Sequence, residues 1–307
     1  MTQQSSVIIR KRTVLSSPAG LWWGLLGIAA FSFTVPLTRV ALGGLSPLFI
    51  GSGRAVVAAV LAAIALAAAR QRLPTGIQWA RLCVVAGGVV IGFPLLTSFA
   101  LTTAPAGHGA MVIGLLPAVT AVVAVVRGHE RPARSFWAFA ALGAAATVVF
   151  ASLGGGELGA LHWSDLLLFA AVLAAAIGYA EGGLLARELG SWQTVSWALV
   201  LSAPLMILLT GVSVIDRPPA ASPVEWLAFA YLGVVSMFLG FFAWYRGLAI
   251  GPIAQVSQVQ LVQPVLSMLW AALLLHEHIG WETVIGGLAV IACAALAVRT
   301  RLGRRPR

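Results

Sequence analysis

Four glutamines, Gln255, Gln258, Gln260 and Gln263, stand close together in a stretch that is otherwise largely apolar. At 100° per residue they spread over about 200° of a helix. An amide surrounded by hydrocarbon has no water to bond, so this face predicts either a water-filled cavity beside Pro264 or hydrogen bonds that join neighbouring helices. Three charged residues pose the same question. Arg39, Arg54 and Glu181 each fall inside an apolar run, and an ionisable side chain at such depth needs a partner or a task. For Arg39 and Arg54 the task is a cationic patch that attracts a solute carboxylate; the alternative is snorkelling toward headgroups.

For Glu181 three readings stand: an ion pair, with Arg246 the expected partner; a proton-coupling group beside Tyr179 and the Gln255 end of the ninth apolar run; and a contact to a substrate ammonium. The coupling role is the favoured one, because a carboxylate that loses hydration in one conformation can take up a proton there and release it in another. His108 is a polar candidate near a helix start, either a structural hydrogen-bonder or a relay. Trp244 lies deep enough in its run to be core or cavity wall. His129-Glu130 and His276-Glu277 have metal-ligand residue types, but neither pair has a second His one turn away, so both read as polar helix ends. Around Ser52 and Ser257 no base accompanies the hydroxyl, so catalysis is not expected. No cofactor or metal is expected either.

The elements that position these residues are membrane spans. The 307-residue chain is 60% hydrophobic and 9% charged, with mean hydropathy +0.97, far from the range of water-soluble domains. Ten apolar runs, near 21–42, 47–69, 80–101, 105–126, 136–153, 166–187, 192–214, 226–248, 252–275 and 281–298, are each long enough to cover most or all of a bilayer core. They are continuous rather than alternating, which selects helices over barrel strands. The net charge of +10 sits in short basic clusters between runs. With the N-terminus inside, 16 of the 19 Lys and Arg fall in cytoplasmic segments, an orientation signal that leaves no role for nucleic acid. Trp22, Trp79, Trp137, Trp163, Trp192 and Trp226 lie near expected helix ends, where indole rings prefer the headgroup level.

The chain is also duplicated. Pro105, Pro117, His129 and Glu130 recur 147 positions on, without a gap, as Pro252, Pro264, His276 and Glu277. Five spans per repeat is an odd number, so the second repeat must enter the membrane from the opposite face. The expected fold is an all-α membrane protein of ten transmembrane helices in two inverted five-helix repeats. Residues 21–153 and 164–298 form the repeats, 1–20 and 299–307 the cytoplasmic ends, and 154–163 an extracytoplasmic linker.

The proline-to-glutamate pattern of the fourth and ninth spans, Arg39, Arg54 after SPLFIGSG, and GYAEGGLLAREL at Gly178–Leu189 together resemble the drug/metabolite transporter superfamily in its EamA-type ten-helix branch. That resemblance implies a secondary transporter, usually an exporter of small metabolites such as amino acids, that works by alternating access. A plasma-membrane location, lipid and a small solute as partners, and a homodimer are the corresponding expectations; a channel or a non-transporting scaffold is the competing one. The ninth span is rich in glutamine whereas the fourth is nearly apolar, so the two sides of any solute path are expected to differ chemically.

Overall fold

The computed structural model of the chain describes residues 18–128, 130, 132–153 and 162–275, with scattered helical positions between 281 and 296. The remainder of the expected tenth span, most of the linker, both basic ends, and the His129 and His276-Glu277 pair members lie outside the described residues.

The elements are helices, and proline explains where several of them break. α1 (Pro18–Ser32) and α2 (Thr34–Ala41) make one span bent at Phe33. Pro36 has no N–H, so the Ser32 carbonyl lacks its helical donor. Ser267 supplies one, donating from Oγ at 2.7 Å, and Trp270 Nε1 donates to Ser32 Oγ at 2.9 Å. α3 (Pro47–Ala68) follows a Ser46 cap whose hydroxyl accepts from Phe49 N at 3.1 Å. The third span consists of α4 (Gly76–Val85) and α5 (Phe93–Ala100) around a π-helical stretch, Ala86–Gly92.

The fourth span was expected as one helix, yet α6 (Ala106–Ile113) and α7 (Leu116–Gly128) are separated by a break just before Pro117. α8 (Arg134–Leu153), α9 (Trp163–Leu189) and α10 (Ser191–Asp216) come next. The eighth span is α11 (Pro223–Tyr231) and α12 (Gly240–Ile250) around a second π-helical stretch, Leu232–Leu239. The ninth is likewise broken: α13 (Ile253–Ser257), a 3₁₀ turn at Gln258–Leu261, and α14 (Val262–Leu275). Pro117 and Pro264 each leave a carbonyl four residues earlier without a helical donor, which explains why neither span runs straight. Among the described residues, seven helical stretches are long and apolar enough to cross a membrane, so the chain is a multi-pass membrane protein.

Packing between the halves comes in matched pairs. α1 lies on α12 as α9 lies on α4, the first π-helical stretch and α5; α7 lies on α9 as the ninth span lies on α1; α3 lies along α10. Small residues allow the approach. A methyl added at Gly247 would lie 2.8 Å from Gly20 O, and one at Gly178 would lie 2.7 Å from Val89 Cγ1. The connections gather at two ends. At the end where α1 begins, Gly20 meets Gly251; at the other, Ser46 Oγ and Ser213 Oγ are 2.6 Å apart and Glu225 lies over Gly43 and Gly44.

Candidate solute-binding site

Arg54 lies two turns into α3 and is 1% exposed, and its Nε and Nη2 have no hydrogen-bond partner among the described residues. A buried cation without compensation is costly, several kcal/mol in order of magnitude, so this one calls for an anion or water that the described residues do not supply. It faces a cavity lined by Phe31, Thr34, Val89, Phe93, Pro94, Tyr179, Ser236, Met237, Phe241 and Gln263.

The irregular backbone builds this cavity. Phe31 and Thr34 flank the bend at Phe33; Val89 belongs to the first π-helical stretch and Phe93-Pro94 follow it; Ser236 and Met237 belong to the second; Gln263 immediately precedes Pro264. Departures from the regular ladder re-aim side chains, and π-helical turns recur at functional sites for that reason. Both halves contribute wall. Thr34 Oγ1 and Ser236 Oγ, 2.7 Å apart, join them across the cavity's hydroxyl side. On the aromatic side, Phe31 and Phe241 rings are 4.9 Å apart, and Tyr179 packs edge-on to Trp244 at 5.3 Å. The cavity holds about 20 Å³, room for a single water. A metabolite therefore fits only after the walls move.

The other sequence candidates separate into distinct places. Gln263 and Tyr179 join Arg54 in the cavity wall. Trp244, fully buried, stands behind Tyr179 rather than in the lining, and its Nε1 has no partner among the described residues. Arg39 is exposed at the end of its span, where Nη1 donates to Leu101 O at 2.6 Å; it caps a neighbouring helix end. Gln255, Gln258 and Gln260 are buried lower in the ninth span, and Gln258 Nε2 donates to Pro117 O at 3.3 Å, across the two broken spans. His108 lies on α6, and its side chain is outside the described set.

Glu181 does not meet Arg246, which is exposed. Its Oε1 accepts from Arg81 Nε, and its Oε2 accepts from Arg127 Nε at 2.8 Å. Arg81 and Arg127 come from the third and fourth spans, too far away in sequence for helical spacing to identify them. Glu130, expected as a surface cap of its own helix, instead accepts from Ile253 N and Ala254 N at 2.8 Å each and so caps the ninth span. Thr34 and Ser236 were missed as site residues; single hydroxyls are ordinary in membrane helices, and only the fold brings these two together.

Residues 18–152 and 162–299 each match the EamA-like transporter family. The chain is 45% identical to the uncharacterized transporter YdeK of Bacillus subtilis (strain 168) over 276 residues, 90% of this chain and 96% of that one. It is 26% identical over 288 residues, 93% of this chain and 95% of the relative, to a probable terminal-alkyne amino-acid exporter of Streptantibioticus cattleyicolor. A chain of known crystal structure shares the fold, with TM-score 0.74 at 21% identity, covering 91% of this chain and 98% of that one. The chain thus belongs to the EamA-like transporter family, within the drug/metabolite transporter superfamily, and is a membrane transporter of small solutes.

Proposed function

We propose that the chain is a ten-span exporter of small carboxylate-bearing metabolites, amino acids among them, working by alternating access about the Arg54 cavity. The observation that carries this reading is the buried guanidinium of Arg54, with Nε and Nη2 unpartnered among the described residues, in a cavity walled by both halves. A carboxylate meets two guanidinium N–H groups at once, and such charge-assisted bonds are the strong ones. The hydroxyls of Thr34 and Ser236 and the amide of Gln263 offer hydrogen bonds to the remainder of a solute, while Phe31, Tyr179 and Phe241 offer apolar contact. Similarity to an amino-acid exporter supports the substrate class.

Inverted repeats are supported by the matched packing and by the matched irregularities. The π-helical stretch at Ala86–Gly92 falls, 147 positions on, within one residue of that at Leu232–Leu239, and the breaks before Pro117 and Pro264 correspond in the same register. Two similar units about a midplane site can rock between inward-open and outward-open forms, and broken helices provide the flexible points. The cavity's present closure is then one stage of the cycle.

In this reading Glu181 is an ion-pair residue, because both carboxylate oxygens already accept from guanidinium nitrogens. Loss of pH-gradient-driven uptake in Glu181→Gln, with solute exchange intact, would return it to the coupling role. The basic clusters support a plasma-membrane orientation with both termini inside. Reporter fusions near Arg131 should read cytoplasmic and those near Glu157 external. Function is tested by comparing metabolites in medium and cytosol of cells with and without the protein. An exported carboxylate that accumulates inside when the protein is absent is the expected result; no difference in any carboxylate would refute the reading.

A further inference from the structure

The ion pairs described between the two halves all lie at one end of the bundle, where α1 begins. Glu181 of α9, 3% exposed, joins Arg81 of α4 and Arg127 of α7; Arg81 also reaches Glu188 through Nη1. Just beyond the end of α7, Glu130 caps the ninth span, and Arg187 Nη2 stands 3.9 Å from Glu130 Oε1 while donating to Gly251 O at 3.0 Å. Arg81, Arg127 and Glu130 belong to the first half; Glu181, Arg187 and Glu188 belong to the second. At the opposite end the described side-chain hydrogen bonds between halves are neutral hydroxyl pairs, Ser46 with Ser213 at 2.6 Å and Ser52 with Thr210 at 2.9 Å, while Glu225, which lies over Gly43 and Gly44, accepts from Ser222 N in its own helix cap.

From this asymmetry we propose that Glu181 and Glu130 are positioning residues of the transport cycle. Their carboxylates latch the halves together at the Pro18 end, and releasing that latch opens the Arg54 cavity to that side. The proposal rests on the alternating-access reading. Its physics is that of two carboxylates largely withdrawn from water, Glu181 above all, held by donors that are themselves partly exposed. Closed, each carboxylate exchanges hydration for fixed guanidinium or helix N–H donors; open, water replaces those donors. Removing one partner leaves the other charge buried only in the closed form, so the substitution acts on the balance between forms. No described ion pair joins the halves at the far end, so the Pro18-end seal is the one that substitutions of paired charges should shift.

The test uses full-length protein in detergent micelles, with Cys83→Ser and Cys293→Ser as background. One reporter is Ala254→Cys beside the latch and another is Ala41→Cys at the opposite end; both positions are fully buried. A small water-soluble maleimide is the probe. Glu181→Gln and Arg127→Gln should raise labelling at 254 by about tenfold, between what exposed and buried ion pairs are worth, and lower it at 41. Arg127→Lys, which keeps the charge on a half-exposed side chain, should return both rates toward wild type. If Glu181→Gln does not fold, the Arg127 pair of variants carries the test. Unchanged labelling at 254 overturns the proposal, and so does a rise at both reporters, which is general loosening. Arg54→Leu should lower transport by about tenfold or more without moving either rate. Normal transport by Arg54→Leu with the Arg127→Gln shifts intact would remove the site reading and leave the latch standing.

Discussion

The two halves share their backbone irregularities and divide their chemistry. The third and eighth spans both carry a π-helical stretch in the same register, and the fourth and ninth both break before a proline. Yet Arg54 corresponds to Leu201, Thr34 to Glu181, and Gln258 to Met111. The first span bends at Phe33 because of Pro36, whereas its counterpart α9 runs unbroken from Trp163 to Leu189 with Gly183 at the matching position. The repeated scaffold pairs its irregular points, and substitution places the buried cation Arg54 in one half and the buried carboxylate Glu181 in the other. In the proposed cycle the flexible points are therefore paired, and the solute site is not.

The largest expected effect breaks the unpaired chemistry. Arg54→Leu should lower transport by about tenfold to a hundredfold, the worth of charge-assisted bonds, with normal membrane insertion. Arg54→Lys should recover part of the loss, since it keeps the charge but not the two-pronged geometry. Radiolabelled solute efflux measures both. Undiminished efflux in Arg54→Leu would make the buried guanidinium a structural feature.

A second experiment sharpens the paired side. Pro117→Ala and Pro264→Ala each restore a helical N–H donor, so each should stiffen its span and slow transport by about tenfold, a barrier increase of about 1.4 kcal/mol. Equal losses are expected. Slowing in only one of the two would mean that the matched breaks do not act together.

Much of the membrane layout was legible in sequence, because span length and proline position are local. The apolar runs correspond to helices with ends within a few residues for those described, and Arg54 was identifiable as a charge with no place in lipid. The break before each proline was not read from the same residues, since a proline within an apolar run is compatible with either a kink or an interruption. The partners of Glu181 were illegible for a different reason. Arg81 and Arg127 stand 100 and 54 positions away, so only packing of α4 and α7 against α9 identifies them. Helical spacing could not separate the four glutamines: the 3₁₀ turn at Gln258–Leu261 changes the rotation per residue, and of the four it is Gln263 that lines the Arg54 cavity.

Smaller effects test whether matched interfaces are equally tight. Gly247→Ala and Gly178→Ala place methyls 2.8 Å and 2.7 Å from Gly20 O and Val89 Cγ1, in counterpart interfaces. Each should cost about 1–3 kcal/mol of overpacking, read as a lowered unfolding midpoint in detergent. A loss in one alone would show that the interfaces are paired only in outline. The smallest effect is expected for Gln258→Met, which gives the ninth span the residue of the fourth. It removes one 3.3 Å bond to Pro117 O, worth about 0.5–1.5 kcal/mol net, so transport should fall less than about tenfold.

The central claim is that a carboxylate solute binds Arg54 at a cavity the two halves open alternately. Solute counterflow in proteoliposomes tests it most directly, using a panel of radiolabelled L-amino acids and small carboxylates with their methyl esters as controls. Wild-type protein should show a transient overshoot for at least one carboxylate and none for its ester, and Arg54→Leu should show no overshoot. Equal overshoot in Arg54→Leu, or equal overshoot for ester and acid, would contradict the account.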